Sequence, residues 1–287
     1  MLKRLRKKPL SLIGLGLIVF FALVALLAPL LAPMAPNARD PYLIPQDGYT
    51  SDPTPPSSKH WFGTTEQQYD LYYGIIWGTR TAFKIGLTII SMALLVGITL
   101  GSLAGYYGGW LDEVLMRFTD IILAFPAIVL AVVIVAVLGP SLSMVVLAIA
   151  LVAWPSYARL LRADILSVKQ REFVMASRAL GATDFWILTR RVIPNAIFPV
   201  LVVASLDIGS VVITAAALSF LGLGAPMGYA DWGQLISLSR NWILGTPQNP
   251  LQFWYTAVIP GGTIFLFVLG WNLLGDAFRD ILDPRQK

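Results

Sequence analysis

Residues 121–158 read IILAFPAIVLAVVIVAVLGPSLSMVVLAIALVAWPSYA. No charged side chain interrupts this run, and a helix crosses a bilayer with about 20 apolar residues. The run is therefore too long for one span. Gly139-Pro140 lies inside it, and that pair marks a turn. The reading is two spanning helices, Ile121–Leu138 and Ser143–Leu161, joined by a short loop. Four more apolar stretches of similar size flank this hairpin: Leu10–Leu31, Ile85–Gly109, Ala196–Leu221 and Trp254–Leu274. The first is preceded by Lys3, Arg4, Arg6, Lys7 and Lys8. Its apolar run is too long for a secretory signal, and further spans follow it. The expected fold is all-α, a polytopic membrane protein with six transmembrane helices.

Composition agrees. Of 287 residues, 56% are hydrophobic and 13% charged, and the mean hydropathy is +0.71. Soluble domains carry about 25% charged residues. These values exclude an ordinary cytosolic protein and a disordered one. The net charge of +5 is small enough to come from membrane orientation, and it does not call for nucleic acid as a partner. With no cysteine and one histidine, His60, the chain has almost no material for thiolate catalysis, a zinc site or a His-based triad. In its outer loop His60 reads as a solvated side chain.

Six spans place both termini on one side. With that side called inner, the inner basic residues are the five of the N-terminal tail, Arg117, Arg159, Arg162, Lys169, Arg171, Arg178, Arg190, Arg191, Arg279, Arg285 and Lys287. The outer ones are Arg39, Lys59, Arg80, Lys84 and Arg240. This bias follows the positive-inside rule with cytoplasmic termini in the cytoplasmic membrane. The division is then a basic tail over 1–9, a first helix over 10–31, an extracytoplasmic segment over 32–81 and a five-helix core over 82–287. The core holds an inner loop over 162–194 and an outer loop over 222–253. Residues 61–84, aromatic and mildly amphipathic, are expected along the membrane surface.

The inner loop carries the most information. Lys169–Leu180 has good helix formers and stops at Gly181, a natural left-handed cap. Thr183-Asp184 then supplies an N-cap and an acidic first turn, and a second short helix runs to Val192 before Pro194. Phe173, Ala176 and Leu180 share one face of the first helix; Phe185, Trp186 and Leu188 are apolar on the second. Such residues either pack back on the bundle or headgroups, or insert into a partner.

The stretch EFVMASRALGA over 172–182, with Ile193-Pro194 thirteen residues past the glycine, resembles the cytoplasmic loop of ABC-importer permeases. That loop reads Glu-Ala-Ala, three residues, Gly, nine residues, Ile, one residue, Leu-Pro. Here Met175-Ala176-Ser177 stands for Glu-Ala-Ala, Gly181 is in register, and Arg191 takes the Ile position. The resemblance extends from about His60 onward, and is closest to the second permease subunit of dipeptide and oligopeptide importers. Leu115-Met116-Arg117, Ala124-Phe125-Pro126, the 154–159 run WPSYAR, the 217–224 run ALSFLGLG, Trp232-Gly233 and the 272–276 run NLLGD carry it, in order. Departures lie on the outer half: Phe62-Gly63-Thr64 is followed by Gln68-Tyr69-Asp70 in place of Gly-Arg-Asp, and Ala215 replaces a Glu. Related permeases also serve oligosaccharides and nickel complexes, so cargo stays open here.

The resemblance implies a paired permease subunit, two cytoplasmic ATPases and an extracytoplasmic solute-binding protein. This chain has no Gly-x-x-x-x-Gly-Lys-Ser/Thr, so ATP and Mg belong on the partner chains and none is expected as a cofactor here. It also implies ATPase contact at Glu172, Phe173, Ala176, Ser177, Leu180, Gly181, Ala182, Thr183, Asp184 and Phe185. From spacing alone, Gly97, Gly101, Gly105 and Gly109 form a small-residue stripe for helix packing. Asp207, the one charge inside an expected span, faces the bundle or a wet cavity. A secondary transporter would need matched broken helices and further intramembrane carboxylates, and a membrane enzyme would need a residue cluster that is missing.

Overall fold

The computed structural model describes residues 9–34, 38–48, 50 and 52–282. The expected basic tail up to Lys8 and the C-terminal Asp283, Pro284, Arg285 and Lys287 lie outside the described residues. Eleven α-helices follow one another among the described residues: α1 Pro9–Leu31, α2 Leu71–Tyr107, α3 Gly109–Leu123, α4 Ala127–Leu138, α5 Leu142–Val168, α6 Glu172–Ala179, α7 Asp184–Ile187, α8 Ile193–Ala196, α9 Phe198–Phe220, α10 Trp232–Ser239 and α11 Trp254–Leu282. A π-helical turn, Leu188–Val192, joins α7 to α8. The all-α expectation holds.

The span count is more particular than six. Helices α1, α2, α5, α9 and α11 are each long and apolar enough to cross a membrane, and α3 with α4 makes a sixth only as a pair bent by 88°. The expected straight helix over Ile121–Leu138 is therefore corrected. Pro126 has no N–H and disfavours the α conformation at Phe125 before it. The chain breaks at Ala124-Phe125-Pro126, and α4 restarts with Pro126 as its N-cap. Its 12 residues rise only about 18 Å, short of a bilayer.

The helix expected to begin at Ile85 begins at Leu71. Its 37 residues rise about 55 Å, well past the hydrocarbon layer. Asp70 caps it, accepting from Tyr73 N–H at 2.8 Å. The 71–84 stretch is thus the outer third of α2, part of one continuous helix. Aromatic handles on this third hold the outer loops. Tyr73 OH donates to Pro41 O at 2.8 Å, Trp77 Nε1 to Ala32 O at 2.9 Å, and Trp232 Nε1 to Ile75 O at 3.2 Å. An isolated bridge, Leu43–Tyr229, joins the two outer segments. Tyr229 stacks on Tyr42 with ring centroids 5.5 Å apart, and burial pushes its phenol up to about 12.

His60 also differs from expectation. Its Nδ1 lies 2.6 Å from Asp70 Oδ2 and its Nε2 3.1 Å from Asp47 Oδ2. The side chain is largely buried. It links the helix cap to the outer loop, because both ring nitrogens find carboxylates. Lys59, hydrogen-bonded to Asp47 at 2.8 Å, holds that carboxyl below its usual range.

Helices α2 and α5 form the axis of the bundle. A Cβ built on Gly97 would sit 2.7 Å from Tyr157 Cβ; on Gly101, 2.5 Å from Ala158 O; on Gly105, 3.0 Å from Arg162 O. The rising numbers on both helices make them parallel. Two parallel helices need a return crossing between them, and the bent α3–α4 pair supplies it. Helix α3 runs back along α5: Asp112 takes a bidentate bond from Arg162 at 2.5 and 2.6 Å, and Phe118 stacks on Trp154. Gly109 does not join the glycine stripe. It has φ +60 with open space around it, so with Gly108 it makes the break that ends α2.

Replacing Gly101 by Leu drives a side chain into the α5 backbone, an overpacking cost of about 1–3 kcal/mol. The thermal midpoint of the purified protein falls measurably, while Gly16→Leu, with open space around it, leaves the midpoint unchanged.

Candidate functional site

The loop between α5 and α9 presents apolar side chains outward on a strongly shaped backbone. Helix α5 runs on to Val168, so the loop proper starts at Lys169. Lys169 Nζ donates to Gly105 O at 2.8 Å and anchors this start to α2. Helix α6 ends in a Schellman cap: Ala182 N–H donates to Ser177 O at 3.1 Å and Gly181 N–H to Arg178 O at 3.0 Å. Gly181 has φ +80, a conformation that a Cβ penalises. Thr183 then caps α7, its side chain accepting from Trp186 N–H. The Gly181 turn and Thr183 cap stand as read from sequence. The second helix differs: only Asp184–Ile187 is α, and the chain passes through the π turn before Pro194.

Val174, Ile187, Leu188, Val192 and Ala196 are buried and hold the loop on the bundle. Leu180 is 88% exposed and Phe185 72%; Phe173, Met175 and Trp186 are also exposed. Of the ten predicted contact residues, Glu172, Phe173, Ala176, Leu180, Gly181, Thr183, Asp184 and Phe185 lie on the surface, and Ala182 is half-buried. Ser177 differs from these: it is buried, and its hydroxyl donates to Phe173 O within α6 at 2.8 Å. Leu188, read with the apolar face of the second helix, also points inward.

Sequence reasoning missed Tyr106. Its hydroxyl donates to Asp184 Oδ1 at 2.7 Å, and Arg178 lies 3.9 Å from the same oxygen. The last turn of α2 is thereby tied to the loop's turn. Tyr106, Tyr107, Lys169, Arg178 and Thr183 line a hollow of about 840 Å³ between them. No local pattern flags a tyrosine at the end of an apolar helix. The tie is visible only once α2 and the loop are in space together.

Asp207 sits in α9 facing α5, and Tyr157 OH donates to its Oδ2 at 2.7 Å. Asp70, kept from the family pattern, and Ala215, which departs from it, are both structural here. Asp70 caps α2, and Ala215 is buried on α9. Trp232-Gly233 opens α10 where a Cβ on Gly233 would lie 2.2 Å from Ala216 O. Asp231, buried at that N-cap, accepts from Gln234 N–H at 2.9 Å; burial holds its carboxyl above the usual carboxylate range, and hydrogen bonds offset only part of that rise.

Comparison with known proteins decides what this architecture is. The family described as binding-protein-dependent transport system inner membrane component matches residues 97–287. The N-terminal transmembrane domain of oligopeptide transport permease C matches residues 1–55. The chain belongs to the inner-membrane permeases of binding-protein-dependent ABC importers. Among relatives of this permease, a dipeptide transport system permease protein of Alkalihalophilus pseudofirmus is 41% identical over 285 residues, covering 99% of this chain and 89% of that protein. A probable D,D-dipeptide transport system permease of Escherichia coli is 39% identical, covering 98% and 89%. A glutathione transport system permease of Pectobacterium atrosepticum is 39% identical, covering 86% and 81%. The fold of the inward-facing MetNI methionine ABC transporter matches 74% of this permease and 97% of that chain, with a TM-score of 0.58 at 17% identity. The permease is thus a multi-pass membrane transport subunit and not an enzyme; ATP hydrolysis belongs to separate chains.

Gly181→Ala costs about 1–2 kcal/mol in the left-handed turn, and Gly181→Asn costs less. Amides over 172–187 exchange hydrogen faster in G181A than in G181N. Tyr106→Phe, which removes the tie to Asp184, speeds exchange over the same window.

Proposed function

We propose that this permease carries di- and oligopeptides, pairing with a second permease subunit and receiving its energy from two ATPases at the 169–196 loop. The observation that carries the cargo assignment is near-full-length identity of about 40% to permeases of dipeptide systems. Glutathione, the cargo named for a third relative, is itself a small peptide. Nothing comparable favours oligosaccharides or a nickel complex. The loop end of the bundle faces the cytoplasm, as its basic residues require, and a solute-binding protein delivers cargo to the outer cap built on residues 38–70 and 222–253. ATP and Mg bind to the ATPases.

The contact face is Phe173, Leu180, Phe185 and their exposed neighbours. Exposed aromatic and aliphatic side chains on a rigid capped turn are what a hydrophobic groove on a partner takes up. The Tyr106–Asp184 tie and the buried anchors make the loop move with α2 and α5, so rotation of the ATPases transmits to the spanning helices as a rigid-body change.

The test is reconstitution of the full complex in proteoliposomes. ATP hydrolysis rises when the solute-binding protein is loaded with peptide, and labelled peptide accumulates. Gly181→Val, strained at φ +80, keeps ATP hydrolysis and loses uptake. Stimulation by oligosaccharide-loaded binding protein and not by peptide-loaded protein contradicts the cargo assignment; normal uptake by G181V contradicts the coupling role.

A further inference from the structure

The break between α3 and α4 opens a cavity of about 210 Å³ against α5 and α9. Ile122, Phe125 and Ala127 come from the break; Ser156 and Tyr157 come from α5; Asp207, Ser210 and Thr214 come from α9. Asp207 is near the middle of α9, roughly 14 Å from its start at 1.5 Å per residue, and so at membrane depth.

Three observations make this cavity wet. First, broken backbone leaves carbonyl and N–H groups without intrahelical partners. At membrane depth this is tolerated only where the break is buried in protein or lines a water-filled space. Second, in an otherwise largely apolar lining, Ser156 and Ser210 are exposed beside Asp207, which gathers the polar side chains around the carboxylate. Third, Asp207 carries no cation among the described residues. Its only donor there is Tyr157 OH, on Oδ2, which leaves Oδ1 free to face the cavity. An intramembrane carboxylate without a cation is expensive and marks a pathway.

We infer that Asp207, oriented by Tyr157, is a transient site for the cationic amino terminus of the cargo. A primary ammonium meets a carboxylate through charge-assisted hydrogen bonds. Ser156 and Ser210 hydroxyls accept its remaining protons. One carboxylate with no second charge binds weakly enough to release what it admits. The inference rests on the peptide reading of the cargo and deepens it: a free amino terminus is the feature selected at mid-membrane.

The experiment measures uptake in cells expressing the full transport complex. The probes are a mixed dipeptide library with free amino termini and the same library N-acetylated. Wild type takes up the free-amine library and discriminates against the acetylated one. Asp207→Asn keeps a carbonyl acceptor for Tyr157 and loses the charge, so free-amine uptake falls about tenfold while the partner chains still co-purify. Ser210→Lys plants a tethered ammonium one turn away and abolishes uptake, whereas Ser210→Met, similar in length and uncharged, loses one hydroxyl acceptor and lowers uptake only in part. These two variants decide the matter if D207N fails to assemble. Undiminished uptake by an assembled D207N, equal uptake by S210K and S210M, or equal wild-type uptake of the two libraries overturns the inference. If wild type takes up no dipeptide at all, the peptide reading fails, and this inference fails with it.

Discussion

The backbone-to-backbone contact between α2 and α5 sets the rest of the molecule. Gly97, Gly101 and Gly105 meet Tyr157, Ala158 and Arg162 without room for a Cβ between them. Van der Waals packing of this kind is the main attraction available between helices in lipid, where tails are as apolar as the side chains. The contact runs the two helices parallel. A parallel pair forces the chain to cross back in between, and the crossing is the bent α3–α4 unit. The bend creates the intramembrane hollow. The parallel pair also ends together, so that Tyr106 on α2 and Lys169 past α5 converge under one loop.

That loop joins two kinds of local chemistry. The Schellman cap at Gly181 and the Thr183 cap are written in the sequence and fix the turn. The burial of Val174, Ile187 and Val192 and the Tyr106–Asp184 bond fix where the turn points. Only with both is the exposed pair Leu180 and Phe185 held in a stable position. A pliable loop with the same side chains would lose any push in its own bending.

Much of the architecture was legible because lipid makes length and apolarity almost sufficient. The helix ends at Gly181, the cap at Thr183 and the close-packing role of the α2 glycines follow from local rules. Three things did not. Pro126 breaks a helix while Pro155 is carried inside α5, and nothing in the prolines themselves separates the two. Residues 61–84 read as an aromatic, mildly amphipathic surface stretch, yet Asp70 caps a helix at Leu71 that runs unbroken into the rest of α2. His60 and Tyr106 have partners far away in sequence or on another element, which periodicity does not reveal. The resemblance places Ser177 in the contact set, and only the structure shows its side chain buried and bonded to Phe173 O within α6.

The central claim is that the Gly181 turn presents Leu180 and Phe185 to the ATPases. The chain has no cysteine, so a single Leu180→Cys gives a background-free probe at an 88% exposed position. The decisive measurement is its rate of maleimide labelling in inside-out membrane vesicles with and without the ATPase chains. Strong protection by the ATPases, reversed when they are stripped away, is the predicted result. Labelling at the same rate in both preparations would contradict the account.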